Sequence, residues 1–335
     1  MLYASNTNET YGWQYDSSAI SVSNQQTLSA PGMLVISFGS LSNLDLSATN
    51  VDSGTASVKA FNLTNRTNTY TYQTDGLLLG WGLRNEVGLA EHPGTGGIWG
   101  VENSADQITR HGVDVHATNP GEELNFLGYV NGTESKQEGS NFGYPWCFSA
   151  WNPSILPDNG QIEVGTQFAI DASSDLDNQN KTDAFYIKFN DTGRQAWVTF
   201  HGSWNSPDPV GYKLSVVSFT DSGEPVDAIT SKTAAVDIFG NANNSVCPND
   251  CFRPVAMALD SRGRIFLSSD ATGEIYLVTR DESAAGTPTA SASSSTSSPS
   301  SASSSKTSAG VGMSSNYSSS VLILSWLSIL AFIYM

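Results

Sequence analysis

Positive charge is scarce in this sequence. Its 335 residues contain 15 lysines and arginines against 32 aspartates and glutamates, which gives a formal net charge of −17. The phosphates of a nucleic acid would be repelled along most of such a surface. This balance excludes DNA and RNA as partners, and it makes any arginine that stands inside a motif informative.

Cysteine is also rare, with three residues in the chain. Cys247 and Cys251, in the segment CPNDC, are close enough to pair across a turn, which leaves Cys147 without a partner in this chain. Eight Asn-x-Ser/Thr sites are present, some of which chance explains in so Ser/Thr/Asn-rich a sequence. The glycosylation sites that we predict are Asn62, Asn131, Asn180, Asn190 and Asn243.

Long hydrophobic runs are missing until the last residues, VLILSWLSILAFIYM (321–335). As a helix this run spans only ~22 Å, short of a ~30 Å hydrocarbon core. A stalk of Ser, Thr, Ala, Gly and Pro precedes it (281–320), of a composition that does not fold. With Gly310 as the attachment residue, this order of parts predicts a GPI anchor at the cell surface, and an ordinary tail anchor is the alternative.

The N-terminal segment MLYASNTNETYGWQYD lacks the charged and apolar regions of a signal peptide. A GPI-anchored protein must enter the secretory pathway, so we expect either that an N-terminal part is missing here or that the chain is not exported. We divide the chain into a folded domain (1–280), the disordered stalk (281–320) and the C-terminal hydrophobic segment (321–335).

Sustained helical periodicity is absent from the folded part, which instead contains short β-branched and aromatic runs bounded by Gly, Asn, Asp and Pro. The predicted strands are 33–39, 56–64, 96–102, 183–189, 195–202, 212–219, 264–269 and 274–279. Many short strands at this spacing predict an all-β sandwich, barrel or propeller.

An internal repeat favours the propeller. Segments 83–108 and 252–278 both contain an arginine, a strand, a turn with glycine and a second strand ending in an acid. Weaker copies surround 193–219 and 30–64, so about four blades are visible. Units that cannot bury their faces alone and must stack around an axis are typical of propellers.

Ordered motifs carry a family resemblance over roughly residues 1–280. They are GLRNEVGLAEHP, VENSADQI, NPGEELNFLG, NFGYPW, FHGSWN, GYKL and CFRPVAMALDSRGRIFLSSDATGEIY. In this order they resemble the glucose/sorbosone dehydrogenases, most closely the fungal pyrroloquinoline quinone (PQQ)-dependent pyranose dehydrogenases. The resemblance implies a six-bladed β-propeller, incomplete here by about two N-terminal blades, that binds PQQ and Ca²⁺ and oxidises a sugar at the anomeric carbon.

The resemblance also implies which side chains bind the cofactor. PQQ carries three carboxylates, so its site needs cationic groups, which this chain has few of. Arg84 and Asn85 match the Arg-Asn pair at the quinone oxygens, Lys213 is the candidate carboxylate partner, and Arg253 matches the arginine of the last blade. The alternative for each is an ordinary surface or strand-end side chain.

Calcium and the catalytic base have candidates as well. In the resembled family the ion is bound in the loop after the strand that ends here at Glu102, so Ser104 and Asp106 are its candidates, an ion-free acidic turn being the alternative. Of the four histidines, His201 in TFHGSWN ends a predicted strand beside a glycine and a tryptophan. His201 is therefore the candidate base, and hydrogen bonding at a strand end is its alternative role.

Electrons must pass to a separate acceptor such as a cytochrome, because no cytochrome-like module is appended to the chain. Two other functions remain open. A non-catalytic surface propeller that binds carbohydrate or protein would keep the blades without needing a cluster of cations. An inactive fragment of the enzyme would have an open ring and exposed strand edges.

Overall fold

The computed structural model describes residues 22–23, 29–64, 69–171, 185–189, 191–203 and 209–280, with the backbone alone at 22–23 and 185–188. The predicted glycosylation sites Asn180 and Asn190, the proposed anchor residue Gly310 and segments 281–320 and 321–335 lie outside these residues. None of the helices in the described part of the chain has the length and apolar character of a membrane span.

The described residues form nineteen strands, four short 3-10 turns and no α-helix. The strands are β1 Val22–Ser23, β2 Met33–Phe38, β3 Ser57–Asn62, β4 Leu77–Trp81, β5 Glu86–Glu91, β6 Gly97–Glu102, β7 Thr109–Arg110, β8 Val113–Asp114, β9 Glu123–Tyr129, β10 Ser140–Asn141, β11 Cys147–Ser149, β12 Gln167–Ala169, β13 Phe185–Phe189, β14 Gln195–Phe200, β15 Lys213–Ser218, β16 Ala235–Gly240, β17 Pro254–Leu259, β18 Ile265–Ser269 and β19 Ile275–Val278. The turns are Leu46–Thr49, Val51–Ser53, Pro153–Ile155 and Asn244–Val246. The expected all-β class is confirmed.

Four antiparallel meanders make up the main sheets. Blade 1 is β1–β4 with β10 added parallel to β4, blade 2 is β5, β6 and β9, blade 3 is β13–β16, and blade 4 is β17–β19. The first strands of successive blades contact one another in the order β1, β5, β13, β17. First strands that line a common axis are the arrangement of a propeller, so the four predicted blades are present.

Apolar clusters between neighbouring blades form the core. Blades 1 and 2 share Val58, Leu79, Leu89 and Leu127; blades 2 and 3 share Trp99, Val198 and Phe219; blades 3 and 4 share Trp197, Phe252 and Leu267. Each fully buried side chain of this size contributes roughly 1.5–3 kcal/mol. Packing between blades therefore positions the loops at their ends.

Strand β14 shows why its sequence is nearly all apolar. Successive side chains of a strand point to opposite faces. Ala196 and Val198 pack in the cluster with blade 2, whereas Trp197 packs in the cluster with blade 4. A strand in a central blade buries both of its faces. The sequence of β14 is therefore apolar at successive positions, and it lacks the polar and apolar alternation of a half-exposed strand.

An insertion built from two segments, one between β6 and β9 of blade 2 and one between blades 2 and 3, carries the two small hairpins β7–β8 and β11–β12. Its own cluster contains Ile108, Val115 and Phe148, and it reaches back to Leu44 and Ala48 in the loop after β2. The insertion thus packs on the loop between β2 and β3 of blade 1, at the end of the blades where the candidate site residues lie.

Cys247 and Cys251 are joined by a disulfide, with their Cα atoms 5.3 Å apart, and Cys147 is a half-buried free thiol at the start of β11. The predicted glycosylation sites within the described residues are exposed: Asn62 ends β3, Asn131 lies in the loop after β9, and Asn243 precedes the turn Asn244–Val246. Glycosylation at these sites stays a prediction.

Replacing both Cys247 and Cys251 by serine is expected to lower the free energy of unfolding by about 2 kcal/mol. The bond closes a loop of only five residues, and the entropy that a crosslink removes from the unfolded chain is small for a short loop. Urea unfolding measures the change. Cys147→Ser is the matched control, and equal stability of the double variant and this control would contradict the prediction.

Candidate functional site

The blades bring equivalent segments to one edge of the molecule. Because successive strands of a meander reverse direction, the residues before a first strand and after a second strand lie at the same end of the blade. We call this end the rim. Arg84 precedes β5 and Arg253 precedes β17, while His201 follows β14 and Asp270 follows β18. The arginines at the start of the two best copies of the repeat, and the candidate base, thus share the rim.

Arg84 is buried at the rim and bound by two neighbouring loops. Its Nε and Nη2 donate to the backbone oxygen and Oδ1 of Asn43, at 3.4 and 3.1 Å. Nη1 donates to the backbone oxygen and Oδ1 of Asn103, and Asp106 Oδ2 lies 4.0 Å from Nη2. Arg84 therefore ties the loop after β2 in blade 1 to the loop after β6 in blade 2.

Asn85 is half-buried beside Arg84. Its backbone oxygen accepts from Asn103 N at 2.9 Å. No hydrogen bond of its side chain is found within the described residues. In the predicted Arg-Asn pair, the side-chain amide of Asn85 is therefore available to a ligand. Most hydrogen-bond donors of Arg84 already have protein acceptors.

The motif NFGYPW supports the same loop. Tyr144 Oη lies 3.1 Å from the backbone oxygens of Ser42 and Asn43, and it accepts from Asp45 N at 2.6 Å. Burial raises the pKa of Tyr144 to about 12, so the phenol stays protonated at neutral pH. Tyr144 therefore fixes the loop that holds Arg84.

The structure brings together His201 and Arg253 through a third residue. Asp270 Oδ2 lies 3.1 Å from His201 Nε2 and 3.5 Å from Arg253 Nη1. The His201 side chain is only 4% exposed, whereas that of Asp270 is 43% exposed. The carboxylate therefore bridges blade 3 and blade 4 at the rim, with the imidazole behind it.

Arg253 has a donor that the described residues leave unsatisfied. Its side chain is 18% exposed, and its Nε is buried without a hydrogen-bond acceptor within the described residues. An unsatisfied buried N–H is costly unless a ligand supplies an acceptor. This donor fits an anionic group such as a PQQ carboxylate.

Two glycines next to His201 and Tyr212 leave room for the Tyr212 ring and for close packing of two segments. Gly202 has a φ of +107°, and a Cβ at this position would lie 2.3 Å from the ring of Tyr212. Gly211 packs directly on Gly202. Tyr212 is fully buried, and its hydroxyl donates to the Ser203 backbone oxygen. Trp204 of the same motif lies outside the described residues.

Lys213 is held within blade 3. Its Nζ lies 2.8 Å from Asp237 Oδ1 and 5.1 Å from the centroid of the Phe200 ring. Among the contacts of the described residues, none joins it to Arg84, Arg253 or His201. The structure does not bring this predicted cofactor residue into the same group as the other candidates.

The predicted calcium residues lie in the loop after β6. Asp106 N and O bond to the Asn43 side chain, at 2.8 and 2.6 Å, and Ser104 N donates to Glu122 Oε2 at 2.8 Å. In the described part of the chain, no three acidic, histidine or cysteine side chains lie close enough to bind a metal. A calcium site at Ser104 and Asp106 would need further oxygen ligands, such as backbone carbonyls.

A buried carboxyl pair adjoins the Arg84 network. Glu86 on β5 lies opposite Glu102 on β6, and Asn125 Nδ2 donates to both, at 2.9 and 3.2 Å. Glu102 Oε1 also accepts from Arg84 N at 2.6 Å, whereas Glu86 Oε2 is buried without a partner within the described residues. Burial raises the pKa of Glu86 to about 8 and that of Glu102 well above its usual range.

The other three histidines serve local structure. His92, at the far end of β5 from Arg84, is buried, and its Nδ1 accepts from Gly94 N and Thr95 N, both at 3.1 Å. Burial lowers its pKa, so its imidazole is neutral. His111 and His116 are paired near the surface with Asp158 and Asp114.

The sequence interpretation missed Asn43, Asn103, Tyr144 and Asp270. The sequence contained a feature that could have identified Asp270. In both copies of the repeat the second strand ends near an acid, and Asp270 lies close to the position that Asn103 has in the first copy. No sequence feature identified Asn43 as a site residue, because its partners Arg84 and Asp106 are 41 and 63 residues away in the chain.

Comparison with known families gives one model, described as TrAA12-like, that matches residues 27–281. A curated relative is the pyrroloquinoline quinone-dependent sugar dehydrogenase of Hypocrea jecorina (strain QM6a), 37% identical over 315 residues, or 83% of this chain and 71% of that protein. The pyrroloquinoline quinone-dependent pyranose dehydrogenase of Coprinopsis cinerea is 29% identical over 83% of this chain. The chain spans 44% of the length of that second relative.

Two solved structures are similar to that of this chain. The calcium structure of Trichoderma reesei Carbohydrate-Active Enzymes Family AA12 has a TM-score of 0.71 at 40% identity, over 78% of this chain and 68% of that one. The holo form of the pyranose dehydrogenase PQQ domain from Coprinopsis cinerea has a TM-score of 0.64 at 31% identity, over 76% of this chain and 68% of that one.

Proposed function

Because this chain belongs to the TrAA12-like family, we propose that it is a quinoprotein sugar oxidoreductase that oxidises a pyranose at the anomeric carbon. The observation that supports this most directly is the rim cluster of Arg253, Asp270 and His201. It combines a buried guanidinium donor without an acceptor in the described residues and an imidazole held by a carboxylate. Bound PQQ would supply an ortho-quinone that accepts a hydride.

The proposed roles of the chain's own residues follow from their positions. Arg253 binds a cofactor carboxylate through its free Nε–H, and Asn85 offers its amide to a quinone oxygen. Arg84 orients Asn85 and the neighbouring loops. His201 is the group that takes the proton of the anomeric hydroxyl, for which imidazole is suited near neutral pH.

Several finer parts of the proposal concern groups around this centre. Ca²⁺ would bind in the loop that contains Ser104 and Asp106, and Lys213 would contact a cofactor carboxylate only by leaving Asp237. A separate acceptor, such as a cytochrome, would take the electrons. The C-terminal segment would anchor the protein at the cell surface.

Binding of PQQ by the full chain is expected to require Ca²⁺ and the Arg253 guanidinium. A charge-assisted contact contributes about 1.5–3 kcal/mol, so Arg253→Ala should weaken PQQ binding roughly tenfold or more. Fluorescence titration of PQQ, with Ca²⁺ or with a chelator, measures this. Arg194→Ala is the matched control, because Arg194 is exposed and pairs with Asp221.

The same protein is then assayed with a panel of pyranoses and an artificial electron acceptor. Sugar oxidation that depends on added PQQ supports the proposal. A chain that binds sugar but not PQQ would instead be a non-catalytic carbohydrate-binding propeller, and equal PQQ affinity of Arg253→Ala and Arg194→Ala would remove Arg253 from the site.

A further inference from the structure

Asn241 follows the last strand of blade 3, and its side-chain amide pairs with the backbone of Phe252, at the entrance to blade 4. Its Oδ1 accepts from Phe252 N at 2.9 Å, and its Nδ2 donates to Phe252 O at 3.0 Å. Nδ2 also lies 3.4 Å from the backbone oxygen of Tyr212, just before β15. The amide therefore binds both backbone groups of Phe252, as a residue on a neighbouring strand would. Asn241 thus links blade 3 to the segment that enters blade 4.

Blade 1 is joined to the segment before β5 without the help of a side chain. Leu83, just before Arg84, donates its N–H to the backbone oxygen of Ala56, just before β3. β3 and β15 are the third strands of blades 1 and 3, and Ala56 and Tyr212 both have a positive φ, of +51° and +56°. At the entrance to blade 4, the Asn241 amide lies between the Tyr212 oxygen and the next blade. A side chain therefore makes the contact that the backbone makes before Arg84.

Aromatic packing fixes the side chain of the same residue. Phe252 is buried, and its ring centroid lies 4.7 Å from that of Phe239 on β16 and 4.9 Å from that of Tyr276 on β19. Both pairs are edge-to-face, which is a favourable arrangement of aromatic rings. Phe252 is therefore held by its side chain and, through Asn241, by its backbone.

Arg253 follows directly and is bonded at its own backbone. Its N donates to Ser269 Oγ at 3.1 Å, and its O accepts from Asp270 N at 3.2 Å. The contact of its Nη1 with Asp270 Oδ2 is longer, at 3.5 Å, and its buried Nε has no acceptor within the described residues. The direction of the Nε–H bond therefore depends mainly on how firmly the backbone is held. A donor that is held in place before a ligand arrives loses less conformational entropy on binding.

We propose that Asn241 is a positioning residue that fixes the segment Phe252–Arg253 and thereby preorganises the Arg253 guanidinium for a carboxylate of the cofactor. That this carboxylate belongs to PQQ rests on the proposed function. Removal of the Asn241 amide takes the described bonds from Phe252 N and O, so the backbone before Arg253 gains freedom. The guanidinium then has more orientations to lose when the ligand binds.

A double-mutant cycle in the full chain tests whether Asn241 acts through Arg253. Fluorescence titration with PQQ and Ca²⁺ compares Asn241→Ala, Arg253→Ala and the double variant, with Asn159→Ala as the matched control. Asn159 is exposed, and it donates its amide to Pro153 O at 3.2 Å within a single loop of the insertion. Asn241→Ala should weaken PQQ binding roughly three- to tenfold, the scale of immobilising one side chain. It should have no further effect once Arg253 is alanine. If Asn241→Ala weakens PQQ binding equally in both backgrounds, or if only Arg253→Ala weakens it, the proposal is overturned.

A second measurement needs neither the cofactor nor the sugar. In PQQ-free protein labelled with ¹⁵N-arginine, the Nε–H signal of Arg253 is the one that Arg253→Lys lacks, and its exchange with water reports how firmly the group is held. Asn241→Ala should exchange this proton about threefold faster or more, compared with the unsubstituted chain and Asn159→Ala. Asn241→Asp keeps the acceptor for Phe252 N but not the donor to Phe252 O, so its rate should be intermediate. An unchanged rate in Asn241→Ala would overturn the positioning role.

Failure of the proposed function gives a different pattern. Suppose that the chain binds no PQQ, or binds it as tightly without the Arg253 guanidinium, while the Arg253 Nε–H exchanges faster in Asn241→Ala. The positioning role then stands, and the cofactor role of Arg253 is lost. PQQ binding that depends on Arg253, together with an unchanged exchange rate in Asn241→Ala, would do the reverse.

Discussion

Replacing Arg84 by alanine is expected to lower the free energy of unfolding of the PQQ-free protein by about 3 kcal/mol, the scale of breaking a buried charged network. The Arg84 side chain is only 5% exposed, and it is the common partner of Asn43 and Asn103. Alanine removes the guanidinium donors from the buried Asn103 oxygens, whereas the Asn43 oxygens keep the bonds from Asp106 N and Tyr144 Oη. The loop after β2 and the loop after β6 then lose their link.

The equivalent arginine of blade 4 is expected to behave in the opposite way. Arg253 makes one ion pair at 3.5 Å with a partly exposed carboxylate, and such pairs contribute about 1 kcal/mol or less. Arg253→Ala should therefore change stability little while it weakens PQQ binding. Arg84→Ala should lose stability before any cofactor is added.

Urea unfolding of both variants without PQQ, followed by PQQ titration of each, separates the two roles. Arg84→Lys is a useful third variant, because lysine keeps the charge but cannot bind both loops with a planar fork. It should recover only a small part of the lost stability. Equal losses of stability in Arg84→Ala and Arg253→Ala would contradict the difference that the structure predicts between these arginines.

The sequence predicted the blades because their strands are apolar on both faces. The eight predicted strands correspond to β2, β3, β6, β13, β14, β15, β18 and β19, within about two residues at each end. The strand list missed β4, β9 and β16, although all three belong to blades, and β5 and β17 were predicted only as part of the repeat. β9 starts with Glu123 and Asn125, and β16 has exposed Val236 and Asp237, so neither has the continuous apolar pattern of a central strand.

The candidate site was predictable in its residue types and less so in its contacts. The repeat placed Arg84 and Arg253 at equivalent positions, and the structure gives them equivalent places at the rim. Several of their partners belong to other parts of the chain, and no local sequence pattern predicts which distant residues will meet. His201 and Asp270, for example, are 69 residues apart. Packing between blades decides such pairs, and this packing becomes visible only in the fold.

The sequence likewise did not predict that the buried glutamates form a group. Glu86, Glu102 and Glu123 stand on three neighbouring strands of blade 2, and strand register alone makes them adjacent. The register of β5, β6 and β9 brings like charges together at the rim, next to Arg84. Proton uptake is the means by which such a cluster avoids repulsion in a buried setting.

Replacing Glu86 by glutamine is expected to stabilise the protein at pH 8 and to reduce the dependence of its stability on pH. Burial raises the pKa of Glu86 from 4.5 to about 8, so the folded state favours the protonated acid. The associated stability is fully present below the unfolded-state pKa of 4.5 and is lost as the pH rises through 8. Because Gln resembles the protonated acid, the variant avoids this loss, which is on the order of 4 kcal/mol at pH 8.

The neighbours of Glu86 contribute with the same sign. The pKa of Glu102 is raised by burial and by the charges of Glu123 and Glu86, so removing the Glu86 charge also eases ionisation of Glu102. Glu86→Gln should therefore remove part of the decline in stability between about pH 5 and pH 8, and Glu102 and Glu123, whose pKa values burial also raises, account for the rest. The amide also keeps an oxygen to accept from Asn125 Nδ2, which limits structural change.

Thermal unfolding from pH 5 to pH 8, in PQQ-free protein with a chelator present to exclude bound cations, measures the effect. Glu138→Gln is the matched control, since it removes one carboxyl from an exposed position and should keep the slope of the unsubstituted chain. If Glu86→Gln has that same slope, then Glu86 is ionised in the folded protein, and the proton that burial assigns to it lies elsewhere in the cluster.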